Sequence, residues 1–439
     1  MTKHEGRPNA QMTEQPSSTD TLSVAQTGIL PVSFVSLTTR KAASNEAQMT
    51  NDEGSSNDRV SKWPPQSSTC DSDFVIPSSL DIRHSSLSQS LIATSSQLAD
   101  LLPLIERNAR VAVDTEADSL HCYREKLCLL QVSLREGDFL VDPLVENNLA
   151  PLADTLARKE IVLHGADYDL RLLRRALNFR LIRLFDTVIA ARLLGIREFS
   201  YAALVGKYFG IELAKGSQKA NWALRPLSPK MEVYARNDTH YLLPLAEKLE
   251  TQLIERDRFG WFQQSCERAI VSAAIDRERD TEEAWRIRGS GLIRGREAAI
   301  LRALWHWRDR EAERFDRPSF HVLRNDQLIE TARAASRGET PQFRHFSERR
   351  ARDFQATINS ALALKEEDWP ETRKRRGERP TREMERAAEG MRKRRDQAAS
   401  ELKIEPSFIA PRATIDAIAA DRTRAEQLLV PWQRQLIGL

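Results

Sequence analysis

The chain is 439 residues long, 41% hydrophobic and 29% charged, and 66 Lys and Arg against 63 Asp and Glu leave a net charge of +3. That length calls for two or three domains, because single cores rarely grow past roughly 250–300 residues. No apolar run approaches the roughly 18 residues a membrane span needs, which excludes an integral helical membrane protein. The start, Met1-Thr2-Lys3-His4-Glu5, lacks the basic-then-apolar layout of a secretory signal. Four cysteines (Cys70, Cys122, Cys128, Cys266) show no CxxC spacing, so they form neither a zinc signature nor a disulfide framework. A reducing, cytoplasmic setting is the expectation.

The first 70 residues hold 20 Ser and Thr, too little apolar surface to offset the entropy of ordering, so residues 1–75 read as a disordered Ser/Thr-rich extension. The apolar patch from Gly28 to Val35 reads as a short accidental run within it. Leu98, Leu101, Leu102 and Ile105 fall at helical spacing and predict a helix from Ser95 to Asn108. Strands follow at Val111–Val113, Leu127–Leu134 and, after the turn Arg135-Glu136-Gly137-Asp138, at Phe139–Val141. A helix is expected from Leu144 to Arg158, then a strand at Ile161–Leu163 feeding a helix from Tyr168 to Leu177. Strands alternating with helices predict an α/β domain over 90–262, a mixed sheet flanked by helices.

Beyond about Asp276 strand signals vanish. Helical patterns cover 294–311 and 325–335, joined by a turn at Asp316-Arg317-Pro318, within an all-α unit over 290–365. From Arg373 to Asp396 there are 11 Lys and Arg against 5 Asp and Glu. The interspersed Glu378, Glu383, Glu385 and Glu389 read as a solvated charged linker over 366–400, and contact with nucleic-acid phosphates is the alternative. Residues 401–439 are again helical, and Pro406-Ser407-Phe408 followed by Arg412 repeats Pro318-Ser319-Phe320 followed by Arg324 at the same offset. A second, shortened copy of the helical module is expected there.

The first long strand ends Val113-Asp114-Thr115-Glu116. Residues two apart on a strand face the same side, so Asp114 and Glu116 project together and suit a hard divalent cation. Asp276/Glu278, Asp280/Glu282 and Asp309/Glu311 share the spacing but lie in charged helical runs, where it means solvated surface. At His164-Gly165-Ala166-Asp167-Tyr168-Asp169 a strand turns into a helix; Asp167 is assigned to capping that helix and Asp169 to chemistry. Ser228-Pro229 opens a further helix in which Tyr234 and Asp238, four apart, stack on one face. Pro244 should end or kink it. Four converging carboxylates repel one another unless cations neutralise them. Two divalent ions roughly 3.5–4 Å apart are the usual solution and serve in-line displacement at phosphorus, with Tyr234 orienting the attacking water. No phosphate-cradling glycine loop is present, which disfavours nucleoside-triphosphate hydrolysis.

These three segments, in this order, resemble the exonuclease motifs of the DEDD superfamily in its tyrosine-containing branch. Leu184-Phe185-Asp186-Thr187 and Trp222-Ala223-Leu224-Arg225-Pro226-Leu227 resemble stretches typical of ribonuclease D and its exosome-associated relatives. The resemblance covers roughly 90 to 260 and implies a ribonuclease H-like α/β domain. It also implies metal ligands Asp114, Glu116, Asp169 and Asp238, two Mg2+ or Mn2+ ions, and Tyr234 positioning the water. Residues 290 to 365, with Leu301, Leu304, Trp305, Trp307 and Arg308 in one helix and Leu328 and Ile329 in the next, resemble the HRDC domain. The implied activity is 3′→5′ removal of nucleoside 5′-monophosphates from RNA with a free 3′ end, such as tRNA precursors or other stable RNA. Trp222 and Arg225 either touch RNA or pack the loop before the third motif. The competing readings are a 3′→5′ DNA exonuclease and a non-catalytic RNA-binding scaffold.

Overall fold

The computed structural model describes residues 91–146, 148–214, 216–275, 282–339, 341–371 and 380–439. The Ser/Thr-rich extension, with its patch from Gly28 to Val35, lies outside those residues, as do Cys70 and 373–379 of the basic run. In the α/β region the elements run β1 (Leu91–Ile92), α1 (Ser95–Arg107), β2 (Arg110–Ala117), β3 (Leu127–Leu134), β4 (Gly137–Val141), α2 (Ala150–Ala157), β5 (Glu160–Leu163), α3 (Asp167–Leu177), β6 (Arg183–Asp186), α4 (Thr187–Leu193), α5 (Tyr201–Phe209), α6 (Pro229–His240), α7 (Leu242–Glu255) and α8 (Phe259–Ala274). The sheet order is β1-β4-β3-β2-β5-β6. β2–β3 and β3–β4 pair antiparallel, whereas β1–β4, β2–β5 and β5–β6 pair parallel. This is the expected mixed sheet flanked by helices. Every residue of β3 is buried, which is why that strand reads as a nearly continuous apolar run.

Several elements differ from the sequence expectation, each for a local reason. β2 extends past Val113 to Ala117, because β3 pairs with it as far as Ala117↔Leu127 and holds the backbone of its polar end. Leu144–Glu146 and Asn148–Leu149 are not helical. Asp142 Oδ1 accepts from the Leu144 N–H (3.0 Å) and folds a turn, so α2 begins only at Ala150, with Pro151 in its first turn. Pro244 does not kink α6. The helix has already ended at His240, and Pro244 falls in the first turn of α7, where an N–H is not needed.

The HRDC-like region consists of α9 (Gly295–Arg314), α10 (Ser319–Val322), α11 (Asn325–Ser336) and α12 (Glu348–Leu362). Its own core gathers Leu301, Leu304, Trp305, Trp307, Leu328 and Ile329. Arg308, 5% exposed, donates to Leu323 O (3.0 Å) and Asn325 Oδ1 (2.8 Å), tying α9 to the start of α11.

The C-terminal region is α13 (Arg382–Leu402), α14 (Pro406–Ile409), α15 (Arg412–Ala420), α16 (Ala425–Leu428) and α17 (Pro431–Ile437). Here the structure departs from the linker expected over 366–400, since 382–402 is one 21-residue helix. Its buried stripe is Ala388, Met391 and Ala399, two alanines and one methionine that a window dominated by charge conceals. Arg392, Arg394 and Arg395 of the run are engaged internally. Arg394 Nε donates to Ile437 O (2.6 Å), Arg395 Nη1 to Ala410 O (3.1 Å) and Arg392 Nη1 to Asp416 (3.1 Å). Each copy of the repeated Pro-Ser-Phe segment forms a short helix (α10, α14) between a long helix and the next one (α11, α15).

Residues of this C-terminal region, among them Met391, Ile415, Ile418 and Trp432, share one apolar core with the α/β region. Trp432 stacks on Trp261 of α8 (centroids 5.2 Å apart) and its indole N–H donates to Ser265 Oγ (3.0 Å). Trp432→Ala is expected to cost about 3–5 kcal/mol and lower the thermal midpoint of the intact chain by several degrees. An unchanged midpoint would show that this stack carries no docking energy.

Candidate active site

The site is built where β2 meets α6. Asp114 and Glu116 leave one face of β2, and α6 is held across β3 and β4 by polar ties. Ser133 and Thr239 hydroxyls lie 2.6 Å apart, Arg236 Nη1 donates to Asp138 O (2.7 Å), and His240 Nδ1 meets Asp138 Oδ2 (2.7 Å). The hydrogen bond to Asp138 raises the His240 pKa. As the sequence predicts, Ser228 caps α6, accepting from the Met231 N–H (3.3 Å), and Pro229 stands in its first turn. This framework brings one carboxylate oxygen each from Asp114, Glu116 and Asp238 within 4.8 Å of one another.

The end of α6 is shaped by a hydroxyl set into the helix ladder. Tyr241 N–H would ordinarily donate to Asn237 O. Instead it donates to the Tyr201 hydroxyl (3.1 Å), which donates onward to Asn237 O (3.0 Å). The insertion falls where α6 stops at His240 and α7 starts at Leu242.

The second segment is positioned by a residue to which sequence reasoning gave no role. Gly165 takes φ +79°, a conformation glycine adopts without strain, and directs the chain from β5 into α3. Asp186, 4% exposed, accepts from the N–H groups of Gly165 (3.1 Å), Ala166 (2.9 Å), Val188 (2.8 Å) and Ile189 (3.3 Å). One carboxylate thus caps α4 and pins the turn before α3. The cap assigned to Asp167 is not formed. Asp167 is the first helical residue, exposed and paired with Arg171 (2.9 Å), because the N–H groups before it are taken by Asp186.

Asp169 is 6% exposed and accepts a hydrogen bond from Thr115 on its Oδ1. It stands outside the group of three carboxylates and is joined to it through the residue between Asp114 and Glu116. Thr115 is therefore a second site residue that sequence reasoning missed; its position inside the acidic motif was the available signal. His164, beside Thr187 Oγ1 (2.8 Å), is held neutral because burial lowers its pKa to about 4.

Tyr234 sits one helical turn before Asp238. Burial first, then the negative charge of Asp238, Glu116 and Asp114, raises its phenol well above the ordinary value, partly offset by a hydrogen bond with Gln218, so it stays protonated. A cleft of about 310 Å3, lined by Ser217, Lys230, Val233, Tyr234 and Asn237, opens beside it. Trp222 and Arg225 belong to the packing instead. Trp222 is 1% exposed, its ring 6.1 Å from that of Tyr234. Arg225 grips buried Asp142 with two nitrogens (Nε–Oδ2 2.5 Å, Nη2–Oδ1 2.8 Å) and donates to Trp222 O and Cys128 O. The donor set of the site is all carboxylate, the chemistry of hard divalent cations. Cys122, Cys128 and Cys266 are buried free thiols. No described helix is long and apolar enough to cross a membrane.

Residues 89–254 match the family model described as 3′-5′ exonuclease, and 297–354 match that of the HRDC domain. Ribonuclease D of Xanthomonas oryzae is 34% identical over 248 residues, 55% of this chain and 67% of that protein. The Exosome complex exonuclease RRP6 of Saccharomyces cerevisiae is 32% identical over 254 residues, 54% of this chain but 35% of that protein. Among solved structures, Escherichia coli RNase D aligns with a TM-score of 0.59 at 24% identity, covering 79% of this chain and 96% of its own.

Proposed function

The chain belongs to the ribonuclease D family of 3′–5′ exoribonucleases, and on that premise we propose that it shortens RNA one nucleotide at a time by two-metal-ion hydrolysis, releasing nucleoside 5′-monophosphates. The observation that carries the reading is the convergence of Asp114, Glu116 and Asp238, with Asp169 tied to β2 through Thr115. Carboxylates this close repel one another, and Asp114, Glu116, Asp169 and Asp238 are the residues that would hold the cations. Divalent ions, Mg2+ or Mn2+, would supply Lewis acidity and offset the charge that builds at the phosphodiester.

The chain's own contribution is placement. Tyr234 keeps its proton and can orient a water by accepting from or donating to it. Asp186 and the Tyr201 hydroxyl hold the second and third motifs in fixed orientation, so little reorganisation is needed at the moment of reaction. The RNA would be a tRNA precursor or another stable RNA with a free 3′ end, met in the cytoplasm.

The test is a time course on 5′-labelled single-stranded RNA and on DNA of the same sequence, each with Mn2+. The expected result is a one-nucleotide ladder that shortens the RNA and is lost with EDTA. Intact RNA beside digested DNA would transfer the activity to DNA. If both strands stay intact while RNA is bound, the chain is a scaffold and the proposal fails.

A further inference from the structure

Gln131 is the one residue of β3 whose chemistry conflicts with where it is buried. It lies at 0% exposure, and neither its amide nitrogen nor its amide oxygen has a hydrogen-bond partner among the described residues. On one side its pair in the sheet is Leu140 of β4. On the other side, directly across the antiparallel ladder, its pair is Asp114.

Residues directly opposite in an antiparallel pair project to the same face, with Cβ atoms about 4.5–5.5 Å apart, a gap a glutamine side chain can span. The flanking residues identify that face. Leu129, two positions before Gln131, packs in one cluster with Ala235 of α6, and Ser133, two positions after it, meets Thr239 of α6. Gln131 therefore lies under the turn of α6 that runs from Ala235 to Thr239, the turn bearing Asp238. Leu129, Leu140, Trp222 and Ala235 form the apolar part of this layer.

An unpaired amide in such a layer costs the full desolvation of both its polar atoms, where an apolar side chain of equal size would cost nothing. A group left in that condition beside a carboxylate site is a candidate for work done when the site is loaded. We propose that Gln131 is a positioning residue of the carboxylate cluster: its amide N–H donates to Asp114 when a divalent cation is bound, fixing the carboxylate in the orientation that coordinates. A cation draws on one carboxylate oxygen and leaves the other needing a donor. A buried side-chain amide directly across the ladder is placed to be that donor. Gln131 is too deeply buried to meet substrate, so it acts through Asp114 alone. This inference rests on the metal-binding reading of the site.

The test compares Mn2+ binding by calorimetry to the full chain, to Asp114→Asn, and to Gln131→Met, with Gln131→Leu as a second apolar variant. Thermal melts of the metal-free proteins are run in parallel. The apolar variants should melt at or above the wild-type temperature, because two unpaired polar atoms are removed. Their Mn2+ dissociation constant should rise about 10–100-fold, the range for partners that orient a ligand. Wild-type affinity in a folded Gln131→Met protein would overturn the assignment while leaving the metal site standing. Failure of the wild type to bind Mn2+ in an Asp114-dependent way would overturn both.

Discussion

Asp238→Asn is expected to lower the turnover of RNA 3′-end removal by about 10³-fold or more, while the protein stays folded and still binds RNA. Asp238 contributes one of the three carboxylate oxygens that lie within 4.8 Å of one another. The amide keeps its shape but removes the charge that a cation requires. The same change relieves repulsion with Asp114 and Glu116, so the metal-free variant should melt at or above the wild-type temperature. Wild-type protein should gain thermal stability when Mg2+ or Mn2+ is added, because a ligand that binds only the folded state stabilises it. That gain should be largely absent from the variant. Single-turnover assays on labelled RNA, with melts run with and without metal, check both halves. A variant with wild-type turnover would sink the assignment of Asp238 as a ligand.

Arg225→Ala is expected to act on stability. Asp142 is about 1% exposed in its side chain and Arg225 about 21%, so removing the guanidinium leaves a buried carboxylate unpaired. Such losses cost about 3–5 kcal/mol. The carbonyls of Trp222 and Cys128 lose their donor at the same time, and the loop that packs against Tyr234 is released. The thermal midpoint should fall by roughly 10 °C. Arg225→Lys should recover only part of it, since an ammonium cannot reproduce the two-pronged grip. If Arg225 instead touched RNA, its loss would raise KM and leave the melt unchanged, so the two sequence readings of this residue separate cleanly by experiment.

The three acidic segments were legible because each couples an unusual polar pattern to a strong local signal. Asp114 and Glu116 follow an apolar strand, Asp169 follows a strand-to-helix turn, and Tyr234 and Asp238 share one helical face behind a Ser-Pro start. The strand and helix alternation from Ser95 to Leu177 was legible for the same reason, since period 2 and period 3.6 are written in neighbouring residues. Helix ends were less so. α2 starts six residues later than its apolar pattern, because the Asp142 side chain takes up the Leu144 N–H. Helix α13 was hidden because its buried stripe is mostly alanine, which a charge count passes over.

Sequence by itself determined the fold class, the order of the carboxylates and the helical region behind them, because these depend on contacts between residues a few positions apart. Only the tertiary structure decided which polar groups meet across long separations. It alone sets Asp186 beneath the Gly165 turn, threads the Tyr201 hydroxyl into the ladder at Asn237, clamps Arg225 on Asp142, and lays Gln131 opposite Asp114. Those pairings join residues far apart in the chain, and a one-residue change of register would undo them. No local propensity encodes them.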